Sequence, residues 1–339
     1  MSTATTELTP KDFRSGQEVR WCPGCGDHTI LTQVRKVLPT LGVPPEKIVF
    51  VSGIGCSSRF PYYVNTYGFH GIHGRAPSIA MGIKCANPAL SVWVVTGDGD
   101  GLSIGTNHLI HAMRRNIDIN ILLFNNRIYG LTKGQYSPTS EFGTRSKSSP
   151  WGSIEQPLSP IRMALAAEAT FVARAVYADV AHLGIVLEAA ARHKGVSFVE
   201  ILQNCSVFND GAYTNLIDRS QAEDSRVHLE HGQPVRFGAA GRKGIGQRNM
   251  APCVIDLDQE GSDEREILIH DTRATSPALA SLLASLEPPA FPTALGIFRD
   301  VEKPTYDALL TSRAAEVVAK KGQGDLDQLL QSGTVFEVR

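Results

Sequence analysis

Residues 94–135 read VVTGDGDGLSIGTNHLIHAMRRNIDINILLFNNRIYGLTKGQ. Two apolar runs, residues 91–96 and 119–124, predict buried strands that end at Gly97 and at Asn125-Asn126. Between them, one helix is predicted from the apolar positions Leu102, Leu109, Ile110 and Met113. A strand–helix–strand unit of this kind predicts a parallel sheet flanked by helices, an α/β fold.

Polar residues follow both of these strands. In open α/β sheets, ligands bind at the carboxyl ends of the strands. Asp98 offers a carboxylate there and Asn126 an amide oxygen, and such hard oxygens suit Mg²⁺, which usually shares its coordination shell with phosphates. The sequence therefore predicts a diphosphate held through Mg²⁺ at this edge, although a turn built from common turn residues is the simpler alternative for either half alone.

Four of the six cysteines lie in turns or at predicted strand ends. Cys22 and Cys25 form a C-x-x-C sequence, Cys56 lies in a glycine-rich turn after a predicted strand at 48–51, and Cys205 follows the predicted strand 197–202. A parallel sheet would bring these positions together. The spacing fits zinc, an iron–sulfur cluster or a redox pair. Cys85 is expected to pack in the core, and Cys253 is unassigned.

Length and charge restrict the class of protein. A chain of 339 residues can bury a large core, and the net charge of −1 gives no sign of nucleic-acid binding. No apolar run approaches a membrane span, and the N-terminus lacks the apolar core of a signal peptide, so a cytoplasmic protein is expected.

The chain divides into three predicted parts. Residues 1–18 are polar and are expected to form an arm. Residues 19–220 are expected to form the ligand-binding domain. The pattern weakens beyond about residue 220, so 221–339 is predicted to be an extension, with two helices at 277–286 and 314–321, that packs on the domain or on a partner.

The spacing Gly97-Asp98-Gly99, twenty-five residues, Asn125-Asn126 resembles the thiamine diphosphate motif. Together with WCPGCGDH, GIGCSS, HGIHGRA, NNRIYGLTKGQYSPTS and HKGVSFVEILQNC, it makes the sequence similar to the β subunits of 2-oxoacid:ferredoxin oxidoreductases, and most similar to the 2-oxoglutarate branch. These segments lie within residues 19–210, and the last eighty or so residues carry a weaker resemblance.

The resemblance implies a set of site residues. It assigns a [4Fe–4S] cluster to Cys22, Cys25, Cys56 and Cys205, and Mg²⁺ to Asp98, Asn126 and the Ile128 carbonyl. It assigns thiamine diphosphate contacts to Ile54, Gly55, Cys56, Ser57, His73, Gly99, Asp100, Gly130 and Leu131. His73 and Lys133 are the candidate catalytic residues, with a structural turn histidine and an exposed loop lysine as the alternatives.

The resemblance also implies a reaction and partners. The expected activity is coenzyme A-dependent oxidative decarboxylation of 2-oxoglutarate, with electrons passing to ferredoxin. Pyruvate or a branched 2-oxoacid is an alternative substrate, and a zinc-stabilised subunit without a redox role is an alternative function. The catalytic glutamate of such enzymes is expected from an α subunit, because Glu200 lies inside a predicted strand and Glu141 in a predicted surface loop. Two αβ units are expected.

Overall fold

In a computed structural model, which describes residues 8–336 and 338, an eight-stranded sheet forms the centre of the molecule. Its strand order is β2-β1-β3-β4-β6-β5-β11-β7. The strands are β1 (Ile48–Ser52), β2 (Tyr67–His70), β3 (Ser91–Gly97), β4 (Asn120–Asn125), β5 (Phe171–Val176), β6 (Ser197–Leu202), β7 (Arg226–Leu229) and β11 (Thr293–Asp300). A second sheet of order β10-β9-β8 contains β8 (Arg236–Phe237), β9 (Lys243–Arg248) and β10 (Ala251–Asp256).

Helices cover both faces of the large sheet. The helices of the described ranges are α1 (Asp27–Thr40), α2 (Phe60–Tyr63), α3 (Ala76–Ala86), α4 (Asp98–Leu102), α5 (Thr106–Arg114), α6 (Pro160–Ala166), α7 (Val180–Arg192), α8 (Thr214–Ile217), α9 (Ala222–Ser225), α10 (Ala278–Leu283), α11 (Tyr306–Lys321) and α12 (Leu326–Leu330), and of these α12 has no buried residue. Two large apolar clusters fill the two faces, and β1, β3, β4, β5 and β6 contribute to both of them. This arrangement explains why these strands are nearly continuous apolar runs.

The six strands from β2 to β5 run parallel, which confirms the predicted fold class. β11 then pairs antiparallel with β5, and β7 pairs parallel with β11. The carboxyl ends of β1, β3, β4 and β6 consequently meet at one edge of the sheet. None of the helices in the described ranges is long and apolar enough to cross a membrane.

Two features differ from the sequence-based expectations. The single helix predicted after Gly97 is two helices, α4 and α5, because Gly105 packs on the backbone of Gly74 and the chain turns there. Within the predicted N-terminal arm, Phe13 is fully buried in an apolar cluster and Arg14 forms a β-bridge with Val64. Residues 8–18 are therefore anchored to the domain, while residues 1–7 of that arm lie outside the described residues.

The C-terminal extension, residues 221–339, contributes to the large sheet itself. It supplies β7 and β11 there, as well as the whole second sheet. Its two predicted helices are present as α10 and as α11, which begins eight residues before the predicted start at 314. The proposed boundary near residue 220 thus falls between segments that share one sheet.

Candidate cofactor site

A cavity of about 440 Å³ lies at the edge where β1, β3, β4 and β6 end. All nine residues expected to contact the cofactor line it, and so do the three expected magnesium ligands. Six further residues complete the lining: Gly97, Phe124, Tyr129, Thr132, Gln135 and Gln203. The parallel sheet therefore brings together segments that are up to about 150 residues apart in sequence.

The carboxylate of Asp98 is buried at the start of α4, directly after β3. Its Oδ2 accepts hydrogen bonds from the hydroxyls of Ser137 and Thr139, the latter at 2.8 Å. Burial raises the pKa of Asp98 to about 6, against the effect of these hydrogen bonds. A divalent cation beside this carboxylate would favour its charged form, so the donor set fits Mg²⁺.

The chain reverses at the end of β4, and this turn separates the roles of two asparagines. Arg127 has a positive φ of 57°. Asn125 is buried, and its amide donates to Glu200 Oε1 at 2.7 Å while its oxygen accepts from Thr139 Oγ1 at 2.9 Å. Asn126 instead lines the cavity together with Ile128. The first asparagine therefore supports the turn, and the second borders the cavity.

Asp100 ties three loops together. Its Oδ1 accepts hydrogen bonds from the backbone N–H groups of Ile54 and Gly74, at 3.0 and 2.8 Å, and its Oδ2 accepts from Thr96 Oγ1 at 2.7 Å. These contacts fix the loop after β1 and the loop before α3 against α4. Asp100 lines the cavity, and both oxygens of its carboxylate accept hydrogen bonds that hold the surrounding loops in place.

Gly99 allows an aromatic ring to close one side of the cavity. A Cβ at this position would lie 2.2 Å from the Tyr129 ring, which no side chain could tolerate without movement of the ring. The Tyr129 hydroxyl donates to the Gly99 carbonyl at 2.9 Å. Tyr129 was not predicted from the sequence, although its place between Ile128 and Gly130 was an available signal.

The four predicted cysteine ligands lie on loops that contact one another. The Gly26 N–H donates to the Asn204 carbonyl at 3.1 Å, and Ser206 Oγ donates to the Pro23 carbonyl at 2.8 Å. Trp21 Nε1 donates to the Cys56 carbonyl at 2.6 Å. The C-x-x-C loop is thus bonded to the loop that carries Cys205 and to Cys56 itself.

Gly130 connects the cysteines to the cavity. It lines the cavity, and a Cβ at this position would lie 3.6 Å from Cys205 Sγ and 3.8 Å from Cys56 Sγ. Cys56 also lines the cavity directly. Two thiols and the cofactor cavity therefore meet around a single glycine.

The spacing and burial of the thiols bear on what they can bind. In the described ranges, no three of these sulfur atoms lie within 4.8 Å of one another. Thiolates around one tetrahedral zinc, with bonds of about 2.3 Å, would be separated by only about 3.8 Å. Burial raises the pKa of Cys56 to about 11 and also raises that of Cys25. Thiolates here need a cationic partner, which bound metal ions supply.

Asp27, beside Cys25, does not cap α1, although aspartate is a common N-cap residue. It is the first residue of that helix, it is fully buried, and its side chain makes no capping hydrogen bond. Burial raises the pKa of Asp27 to about 7. Gly26 occupies the cap position because its backbone is bonded to Asn204.

The remaining candidate residues differ in position. His73 is exposed and lines the cavity, whereas Lys133 is exposed and outside the lining. Glu200 is buried and accepts from Arg174 Nε at 2.6 Å, and Glu141 is paired with Arg127. None of the described residues that line the cavity is a glutamate.

Residues 53–201 match the family described as "Thiamine pyrophosphate enzyme, C-terminal TPP binding domain". The chain is 52% identical over 336 residues to "2-oxoglutarate oxidoreductase subunit KorB" of Mycobacterium tuberculosis, a match that covers 97% of this chain and 88% of that relative. It is 46% identical over 210 residues to "2-oxoacid:ferredoxin oxidoreductase subunit beta" of Saccharolobus solfataricus, covering 61% of this chain and 67% of that one.

A solved structure is similar over nearly the whole chain. It is described as "2-oxoglutarate:ferredoxin oxidoreductase from Magnetococcus marinus with 2-oxoglutarate, coenzyme A and succinyl-CoA bound". The TM-score is 0.74 at 30% sequence identity, with 98% of each chain covered. The chain belongs to the family of 2-oxoacid:ferredoxin oxidoreductase β subunits, in the branch named for 2-oxoglutarate, as the sequence motifs predicted. It is an enzyme subunit with a thiamine diphosphate-binding domain.

Proposed function

We propose that this chain, together with an α subunit, catalyses the coenzyme A-dependent oxidative decarboxylation of 2-oxoglutarate to succinyl-CoA and CO₂, with electrons passing to ferredoxin. The observation that carries the proposal is the position of Gly130, which lines the cavity and lies beside the thiols of Cys56 and Cys205, so that an added Cβ would contact both of them. A thiol set in contact with a cofactor cavity suits electron transfer and would serve no purpose in a purely structural metal site.

Thiamine diphosphate would occupy the cavity, with its diphosphate held through Mg²⁺. Asp98, Asn126 and the Ile128 carbonyl are the proposed magnesium ligands, because all three residues line the cavity and offer hard oxygens. The hydroxyls of Ser137 and Thr139 hold the Asp98 carboxylate in place. His73 is proposed to contact the cofactor or substrate from the exposed side of the cavity, while the role of Lys133 stays a prediction.

Cys22, Cys25, Cys56 and Cys205 would hold one [4Fe–4S] cluster. The wide spacing of their sulfur atoms supports a cluster of several metal ions over a single zinc. Cys22 is exposed, whereas the other three are partly buried. The Cys22 side of the set is therefore the one open to an electron-accepting partner.

Each component has a separable task. When bound, thiamine diphosphate supplies the nucleophile and electron sink for decarboxylation, and the cluster takes up electrons singly. The protein positions both, since Cys56 shares a loop with Ile54 and Ser57. Apolar side chains of Ile54, Phe124 and Leu131 limit water in the cavity.

The absence of a glutamate from the described lining supports a shared active site. Glu200 is bonded to Arg174 and Asn125, and Glu141 to Arg127, so neither is available to the cavity. We therefore propose that the α subunit supplies this acid, that the β chain alone is inactive, and that two αβ units assemble.

The test is ferredoxin reduction by the purified αβ complex with 2-oxoglutarate, pyruvate or a branched 2-oxoacid, each with coenzyme A. The proposal expects 2-oxoglutarate to give the highest rate and the β chain alone to give none.

Cys205→Ser should abolish ferredoxin reduction yet leave thiamine diphosphate binding intact. Cys85→Ser is the matched control, because Cys85 packs against the core at α3. Preference for pyruvate, or full activity of Cys205→Ser, would refute the proposal.

A further inference from the structure

Three side chains away from the cofactor cavity converge where α7 begins. Asp179 is the N-cap of α7 and its Oδ1 accepts from the His182 N–H at 3.3 Å. His228 reaches the same point from β7. One ligand atom from each of the three lies within 4.8 Å of the other two, the only such trio of metal-ligating side chains in the described ranges.

The distances match those of a small coordination site. His228 Nε2 lies 3.3 Å from Asp179 Oδ2. Two ligand atoms on a tetrahedral ion with bonds of about 2.0–2.1 Å are separated by about 3.3–3.4 Å. The rings of His182 and His228 are 4.7 Å apart between centroids and inclined at 48°, so the two imidazoles are close neighbours that do not stack in parallel.

The histidine nitrogens lack other partners. Nδ1 of His182 is buried and has no hydrogen-bond partner within the part of the chain that the structure describes, and the buried Nε2 of His228 has only the Asp179 carboxylate beside it, at 3.3 Å. Buried polar nitrogens without partners are costly, and a ligand would satisfy them.

We propose that Asp179, His182 and His228 bind one divalent transition-metal ion, with zinc the best fit. Two imidazoles and a carboxylate are ligands that zinc accepts, and three protein ligands leave one position for water. Such a site would link α7 of the cofactor-binding domain to β7 of the C-terminal extension, and its bound ion would stabilise the folded chain by mass action.

The positive charge of Arg226 lies near Asp179 and would repel a bound cation, but the position of its guanidinium reduces this repulsion. Arg226 Nη1 lies 3.8 Å from Asp179 Oδ2, but it donates to the Leu216 carbonyl at 3.0 Å. The guanidinium is therefore held by the backbone and makes no short ion pair with Asp179. Asp179 Oδ2 remains available, since the cap hydrogen bond uses only Oδ1.

The experiment uses the full-length β chain, treated with a chelator and then titrated with Co²⁺ and Zn²⁺. Two variants, His182→Asn and His228→Gln, each remove one ligand and leave the Asp179 cap in place. His231→Gln is the matched control, because His231 lies near Asp271, at 3.5 Å, and has no third ligand. Co²⁺ absorption distinguishes this site from the cysteines, since only thiolate ligation adds a sulfur charge-transfer band.

The proposal predicts a Co²⁺ spectrum without the sulfur band and a rise in melting temperature on addition of Zn²⁺. Both variants should bind Co²⁺ and Zn²⁺ more than about tenfold more weakly than the wild type. Loss of a residue that only hydrogen-bonds to a metal ligand already lowers metal affinity by about 10- to 100-fold, and loss of the ligand itself should cost at least as much. In chelator alone they should melt as the wild type does, which shows that they fold. Binding that is unchanged in both variants, or that occurs only at thiolates, would overturn the proposal.

Discussion

The cofactor edge (residues 53–58, 97–102, 126–132 and 203–206) and the C-terminal extension contribute to the same sheet in different ways. At the cofactor edge, the lining residues lie in or shortly after the turn that ends a strand, as Asp98 follows β3 and Asn126 follows β4. In the extension, β11 and β7 join the sheet antiparallel to the strands of the domain, and no short motif marks them. Local sequence therefore specifies the first region, and long-range pairing specifies the second.

Asp98→Asn is expected to show this difference most strongly. Loss of the buried carboxylate removes a proposed magnesium ligand, so activity of the αβ complex and cofactor affinity should fall by at least about 100-fold. Asp258→Asn in the extension removes a surface partner of Arg242 and should leave both quantities unchanged. Activity assays and thiamine diphosphate titration measure this, and equal effects of the two substitutions would show that the cavity is not the cofactor site.

Arg174→Met tests the support beneath the cofactor edge. Arg174 and Glu200 form a buried ion pair in which Glu200 also accepts from Asn125. Removal of one partner leaves a buried charge, and the free energy of unfolding should fall by about 3–5 kcal/mol. Arg265→Met in the extension breaks an exposed pair with Asp263, and denaturant unfolding should detect no change. A stable Arg174→Met protein would mean that the pair does not support the fold.

Gly99→Ala tests the close approach of Tyr129. The added methyl group would meet the ring at 2.2 Å, so overpacking should cost about 1–3 kcal/mol of stability and weaken cofactor binding. Gly82→Ala is the control, because Gly82 is also helical and no atom lies within 4 Å of the added Cβ. Thermal unfolding of both variants, measured with and without thiamine diphosphate, compares their stability and their cofactor binding. If Gly99→Ala is tolerated as well as Gly82→Ala, the cavity wall differs from the one described.

The smallest predicted effect concerns the pH response of the extension. His270 is fully buried, and its Nε2 lies 2.7 Å from the Ile297 carbonyl. Burial lowers the pKa of His270; nearby His231 acts in the same direction, whereas Asp271 opposes it. The unfolded chain therefore takes up a proton first, near pH 6.5, and stability falls as pH decreases below that value.

The variant His270→Gln removes this proton uptake. Its unfolding free energy should decline less steeply than that of the wild type between about pH 7 and pH 5. Urea unfolding at several pH values gives both slopes. Parallel slopes would show that His270 does not contribute to the acid sensitivity of the extension.

Particular residues show how far sequence reasoning reaches. The strand at 197–202 was predicted to the residue, and the twelve predicted cofactor and magnesium residues line one cavity, because glycine-rich turns and polar side chains mark strand ends locally. Burial of Phe13 was not predictable, because it depends on a cluster that includes Tyr63 and Val64, fifty residues away. The trio Asp179, His182 and His228 was missed for the same reason, since β7 had no recognisable pattern.

The central claim is that one edge of the sheet holds both the cofactor and an iron–sulfur cluster. The most direct test is the content of iron, acid-labile sulfide and zinc in anaerobically purified wild-type and Cys205→Ser protein. The claim predicts about four iron and four sulfide per wild-type chain, with both lost in the variant. Zinc without sulfide in the wild type, and full iron in the variant, would each contradict it.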